Sequence, residues 1–495
     1  MSLIVDNLDL TIVVGSLVLL VAVAAVRLST RLGLPTLLIY LGLGLVLGEA
    51  GLGLRFDDAE LSQAIGLFLL AIILAEGGLT TRWSVIRPVL GQSLVLATLG
   101  VLVSVAVTSG ITFLLLDVDL RTALLLGAIV SSTDAAAVFS VLRRLPVSPR
   151  LGATLEAESG FNDAPVVILV ALLVADGWDQ NNVVVTGGQI LFQLVAGVAV
   201  GLLVAWVASQ ALRRVVLPAV GLYPIATIAM TLLAYGTAGL LGASSFMAVY
   251  VAAVRLGNAR LPHADDTRGF AEALAWLAQI GLFVLLGLLA SPGRLLEAVL
   301  PALIVGSGLL LVARPLSVLV TMSPFRMPWR SQAFLSWAGL RGAVPIVLAT
   351  LPISAGLESA TEIFDIVFVL VVVFTLVQAP ALPWLARRLR VEHSASADGD
   401  LGSGESEAGF LRYRLPQELV ARATIFELGL PPAASVSMVV RDGTTFTPSQ
   451  HSVLEPGDRL VVLAPSAQHR AVERCLQDLA GGLAEGELVT LDGPG

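Results

Sequence analysis

The sequence predicts an all-α membrane protein of about thirteen transmembrane helices, followed by a small α+β domain, and three observations predict it. The chain of 495 residues is 56% hydrophobic and only 13% charged, with a mean hydropathy of +0.89. An ordinary soluble domain carries about a quarter charged residues. The apolar residues fall in blocks of roughly twenty, each long enough to cross a hydrocarbon core of about 30 Å as a helix. Arginine gathers in every second loop, as the retention of positive charge on the cytoplasmic side requires.

The blocks run over 9–28, 34–53, 61–80, 87–116, 121–143, 151–175, 187–211, 217–241, 243–256, 270–290, 295–322, 331–353 and 361–386. A transmembrane β-barrel would instead show alternating segments of about ten residues, and none occur. The first block has neither a basic flank before it nor a small-residue cleavage site after it, so it reads as a retained span. With the N-terminus outside, the cytoplasmic loops hold Arg27 and Arg31, Arg82 and Arg87, Arg143, Arg144 and Arg150, Arg213 and Arg214, and Arg255, Arg260 and Arg268. They continue with Arg326 and Arg330, then Arg387, Arg388 and Arg390, while the outer loops keep only Arg55, Arg121 and Arg294. The expected location is the inner (plasma) membrane, surrounded by lipid, with the C-terminus cytoplasmic.

Residues 1–391 thus form the membrane part. The segment 392–409, EHSASADGDLGSGESEAG, has too little apolar surface to pack and reads as a flexible linker. In 410–480, SVSMVV and RLVVLAP read as strands, RDGTTF supplies an Asp-Gly turn and HRAVERCLQDL reads as a helix, with 481–495 left as a tail. The net charge of -8 comes largely from this region and the N-terminus and so says little about partners, among which no nucleic acid is expected. The single cysteine, Cys475, offers neither an intrachain disulfide nor a metal cluster, and no cofactor motif occurs.

Ionisable groups inside spans cost roughly 2.5 to 3.5 kcal/mol each on insertion scales, so they mark function and face a cavity or a partner. Asp134 lies in the fifth span within SSTDAAAVF, and Asp163 in the sixth within ESGFNDAPVV. At about 1.5 Å per residue, both fall near the bilayer middle on adjacent antiparallel helices. Ser159 shares a face with Asp163, four residues on, giving hydroxyl and carboxylate oxygens that suit a monovalent cation. Glu158 and Asn162 form a neighbouring stripe that needs a positive partner, and Arg341 in SWAGLRGAVPIVL is the obvious one. Glu76, in LLAIILAEGGL, sits nearer the cytoplasmic end of the third span. Glu49, Glu156 and Glu272 lie near span ends and read as solvated.

The fifth and twelfth spans place small, polar or helix-breaking residues mid-span, where freed backbone groups must be buried in protein or line a cavity. Paired interrupted helices in corresponding halves point to a transporter with inverted repeats and an ion site between them. A carboxylate taken out of water favours its protonated form, and a cation beside it favours the ionised one. Proton and cation therefore compete. His263, His393, His451 and His469 all fall in loops or the tail, so carboxylates must carry the protons. Two other readings compete: a gated potassium channel, weakened by the lack of a TVGYG-like filter, and a cation sensor without transport.

In order and spacing, TDAAAVF, ESGFNDAP and GLRGAVP resemble the signature segments of NhaP-type antiporters of the first monovalent cation:proton antiporter family. The resemblance covers the whole membrane part. It implies the NhaA/NhaP-like fold, with two crossed discontinuous helices, a homodimer, and elevator-type movement of a core domain. Residue by residue, it implies that Asp163 takes up cation or proton, that Thr133, Asp134 and Ser159 complete the site, and that Glu76 joins them. Glu158, Asn162 and Arg341 would hold the core together. Asn162 stands where electrogenic relatives carry a second aspartate, which resembles the electroneutral branch. The 410–480 region resembles the regulatory C-terminal domain of TrkA-type potassium-uptake proteins; antiporters bearing it tend towards potassium, with sodium left open because both ions accept the same oxygen ligands, and a small-molecule ligand has room there.

Overall fold

A computed structural model describes residues 8–475 apart from 33–34, 50, 52, 54–57, 135–146, 179–181, 392–407 and short breaks at 416–423, 432–433, 442–443, 447, 450–451, 466–467, 469–470 and 473. The chain divides into two compact units, 1–394 and 395–495.

Helices joined by short loops make up the described residues of the first unit. In chain order its helices are α1 (Leu8–Leu32), α2 (Thr36–Leu47), α3 (Ala59–Thr80), α4 (Trp83–Leu115), α5 (Leu120–Ser131), α6 (Pro149–Val174) and α7 (Val183–Arg214). Then come α8 (Leu222–Leu240), α9 (Ser245–Gly257), α10 (Ala264–Leu289), α11 (Val299–Phe325), α12 (Trp329–Ala338), α13 (Ala343–Ser354) and α14 (Ala360–Leu389). Eight are long and apolar enough to cross a membrane, and α12 with α13 make a ninth span bent by 49°. Four shorter apolar helices complete the set of thirteen segments expected from the sequence.

Polar residues mark several helix starts. Asp58 accepts from Leu61 N (2.9 Å) ahead of α3, and Asp119 accepts from Arg121 N and Thr122 N ahead of α5. Each satisfies an amide that the first turn leaves without a partner. The outer surface is apolar, with Leu240, Leu114 and Val184 almost fully exposed. Such a surface is stable against hydrocarbon, not against water.

The helices sort into two packed groups. α2, α3 and α7 to α10 pack on one another, and α4 to α6 pack with α11 to α14. Small residues let backbones approach in the first group: a Cβ on Gly44 would strike the α10 backbone at Val284 and Gly287. In the second group, α4 and α11 each contain one π-turn, Leu96–Gly100 and Leu309–Ala313. The carbonyl of Gly100 accepts from Ser317 on α11 (2.7 Å). Matching irregularities in α4 and α11, and matching breaks after α5 and α12, are the marks of an inverted repeat.

The second unit holds a four-stranded antiparallel sheet, β1 (Ala408–Arg414), β2 (Ser435–Arg441), β3 (Thr444–Phe446) and β4 (Arg459–Pro465), in the order β1-β4-β2-β3. Arg441 pairs with Thr444, leaving the two residues Asp442 and Gly443 between β2 and β3. β1 takes in Ala408 and Gly409, the last two residues of the stretch read as linker, and pairs with β4 along its whole length. Most of the helix expected over 469–479 lies outside the described residues.

Candidate functional site at two broken helices

The site begins where α5 stops. After Ser131 the chain leaves helical geometry through Ser132, Thr133 and Asp134, all buried. Opposite, Gly339 to Gly342 separate α12 from α13 without helical geometry. The two breaks meet directly: Asp134 N donates to Leu340 O at 3.0 Å.

Each break also supplies the charge that the other's helix end requires. Arg341 Nη1 donates to Ser132 O (2.7 Å) and Ser131 O (3.3 Å), carbonyls freed at the C-terminus of α5. Asp134 Oδ2 accepts from Ala343 N (3.1 Å), the first residue of α13. A cation at a helix C-terminus and an anion at an N-terminus are the favourable pairings with the helix dipole. Gly342 makes this possible, because a Cβ there would overlap the Asp134 carboxylate.

Helix α6 passes beside the crossing and presents its polar face to it. Asp163 Oδ1 accepts from the Ser132 hydroxyl at 2.6 Å. Thr133 Oγ1 and Ser159 Oγ lie 3.1 Å apart, and Asn162 Nδ2 donates to Thr133 Oγ1 at 2.5 Å. The structure therefore brings Asp134, Asp163, Thr133, Ser159 and Asn162 together within one buried hydrogen-bonded group. A cavity of about 330 Å³ reaches this group and is lined by Asp163, Asp134, Ser159 and Glu76, with Glu156 and Tyr250 further along its wall. Its wall is largely apolar, and the few carboxylate and hydroxyl oxygens that face it can bind a hard cation or hold protons.

Two expectations need correction. Arg341 is not the partner of Glu158, since it is committed to the α5 carbonyls. Glu158 instead pairs with Arg314 of α11: Nη1 donates to Oε1, and Nη2 to Oε2 at 2.7 Å, with both side chains under 5% exposed. Asn162 leaves that stripe and joins the site hydroxyls, because four residues advance a helix by about 400°, a net turn of some 40°. Glu156, read as solvated, is half-buried, and accepts from the Thr81 hydroxyl at 2.7 Å. Glu272 is exposed, as expected, but also lines the cavity.

Sequence reasoning missed Ser132 and Arg314. Ser132 stands inside the quoted SSTD segment, and Arg314 is an arginine midway through the apolar eleventh block, the same signal that singled out Arg341.

Residues 17–388 match the family described as sodium/hydrogen exchanger, transmembrane. The chain belongs to this exchanger family. Among its relatives, the K(+)/H(+) antiporter NhaP2 of Shewanella oneidensis is 37% identical over 418 residues, covering 82% of this chain and 73% of that one. The K(+)/H(+) antiporter NhaP of Alkalimonas amylolytica is 34% identical over 438 residues, covering 83% of this chain and 73% of that protein. The Na(+)/H(+) antiporter ApNhaP of Aphanothece halophytica is 30% identical over 394 residues, covering 74% and 70%. The solved structure of the sodium proton antiporter MjNhaP1 from Methanocaldococcus jannaschii matches with a TM-score of 0.68 at 24% identity, covering 77% of this chain and 99% of that one. The exchanger thus has the NhaP-type fold, crosses the membrane several times, and is a secondary transporter, not an enzyme.

Proposed function

We propose that this exchanger is an electroneutral monovalent cation/proton antiporter, exchanging potassium in preference to sodium for a proton at one shared site. The observation that carries it is a charge count. Three carboxylates, Asp134, Glu158 and Asp163, are buried with two guanidinium groups, Arg314 and Arg341. Fully ionised, the group holds one negative charge in excess, and an uncompensated charge is costly away from water. One proton or one monovalent cation restores neutrality, and both together would overshoot it. Competition for one charge thus becomes exchange of one for one.

In this reading Asp163 and Asp134 hold the cation, Thr133 and Ser159 supply neutral oxygens, and Glu76 lies on the approach. Glu158 and Arg314 stiffen the core, while Arg341 with Asn162 fixes the crossing. The two packed helix groups are the bodies that slide in an elevator-type cycle, with the first group also making a homodimer. The N-terminus faces outside and the sheet-bearing unit is cytoplasmic, where it regulates transport. The names of the potassium-exchanging relatives support potassium as substrate.

Proteoliposomes loaded in turn with potassium, sodium, rubidium and lithium, with internal pH followed by a dye and charge movement by electrodes, test the proposal. Proton flux should be greatest with potassium and carry no current. A current that scales with the flux would show unequal stoichiometry and refute electroneutral exchange.

A further inference from the structure

Glu156 and Glu158 stand two residues apart on α6 and meet opposite fates. Glu158 turns to Arg314 and is neutralised inside the core. Glu156 turns to the cavity, where no arginine pairs with it among the described residues and the Thr81 hydroxyl, whose one proton is shared between Gly77 O and Glu156 Oε1 at 2.7 Å each, is its hydrogen-bond partner. Thr81 closes the end of α3, so the bond links the two packed helix groups.

Position gives this carboxylate its role. Seven residues separate Glu156 from Asp163, two helical turns or about 10 Å along one face of α6. Both line the same cavity. Between them lies Gly160, against which the Tyr250 ring packs so closely that a Cβ would overlap it. Tyr250 is itself buried and meets Phe161 edge to face at 5.2 Å. The helix rise of about 10 Å keeps the two carboxylates too far apart to share one ion, yet leaves both on the same wall.

We infer that Glu156 is a further affinity-determining residue, which raises cation occupancy at Asp163 through its charge and is positioned for this by Thr81. This rests on the cation site proposed above. A low-dielectric wall carrying one sign of charge concentrates ions of the other. One unit charge at about 10 Å, in surroundings of effective dielectric near 20, changes occupancy roughly tenfold. Exposed Glu272, on the same cavity, is screened by water and salt and contributes far less.

The test compares rubidium binding to the purified full chain with cation-driven proton flux in proteoliposomes. Glu156→Gln keeps size and an acceptor for Thr81 but removes the charge. At a pH alkaline enough that protons no longer compete for Asp163, it should weaken rubidium binding and raise the KM about tenfold, with kcat within twofold. Glu156→Asp should largely restore both constants, Thr81→Val should give a smaller shift in the same direction, and Glu272→Gln should shift less than twofold. Unchanged rubidium affinity in Glu156→Gln would overturn the inference, as would a fall in kcat at constant KM. Binding is read apart from flux, so a wild-type chain that binds rubidium but exchanges nothing counts against antiport, while the Glu156 comparison still decides this inference. A chain that binds no cation overturns both.

Discussion

Asp134 and Arg341 complete each other's helix. Asp134, from the break after α5, accepts the first amide of α13, and Arg341, from the break before α13, donates to the last carbonyls of α5. Opposite charges thus face opposite dipole ends across one crossing, and moving either side chain would strip a helix end of the partner it has here. Because the arrangement depends on two residues from distant segments, it joins the breaks into one rigid element.

The crossing tolerates no side chain at position 342. Gly342→Ala should drive the Asp134 carboxylate off Ala343 N and reduce exchange by about a hundredfold, the scale of loss expected for a displacement of roughly 1 Å at a reacting group. Flux measured on variant protein of normal helical content checks this. Activity within a few fold of wild type would mean that Asp134 does not need its present seat.

The Glu158 and Arg314 pair is fully buried, so removing one partner strands the other. Glu158→Gln or Arg314→Leu alone should each destabilise the protein by about 3 to 5 kcal/mol, whereas replacing both by leucine should recover much of that loss. Thermal unfolding in detergent, arranged as a double-mutant cycle, measures the coupling. The same cycle between Glu158 and Arg341 should show far weaker coupling. Equal coupling in the two cycles would restore the pairing first expected from the sequence.

Much of the site was legible because an ionisable residue in an apolar block is expensive and therefore rare, which singled out Asp134, Asp163 and Arg341 at once. The α6 face was legible in part from its period: Ser159 and Asp163 do line one cavity. What the period cannot reveal is which helix a neighbouring stripe faces. Arg314 and Arg341 both lie inside apolar blocks, and only the tertiary structure, which turns Arg314 to Glu158 and Arg341 to the α5 carbonyls, decides between them. Glu156 was misread for a related reason: distance to a span end measures depth along one helix, not the cover that Thr81 at the end of α3 provides. In the second unit, β2 and β4 announced themselves by short apolar runs, while in β1, AGFLRYR, two arginines interrupt the apolar residues and the strand follows directly on an acidic, glycine-rich stretch.

That second unit carries its own charge cluster, open to a pH test. Burial acts to raise the pKa of Asp458, but two bonds from Arg441 (2.9 and 2.8 Å), one from Glu455 N (2.8 Å) and the guanidinium charge hold it below the usual carboxylate range. A depressed value in the folded state means stability that is complete above the unfolded value of about 3.9 and is lost as pH falls through the folded one. Limited proteolysis of the full chain should show the unit resisting cleavage at neutral pH and yielding below about pH 4. Asp458→Asn should cost about 2 kcal/mol at neutral pH and flatten the acid dependence. An acid profile identical in wild type and variant would assign the pH dependence to other groups.

The central claim is that proton and cation exclude each other at Asp163, and the most direct measurement is cation-driven proton flux in proteoliposomes containing wild type or Asp163→Asn at equal density. With asparagine in place, the buried group loses its one excess charge before any ion arrives. The account predicts robust flux from wild type, with an apparent cation KM that rises in proportion to proton concentration, and none above empty vesicles from the variant. Sustained exchange by Asp163→Asn would contradict it.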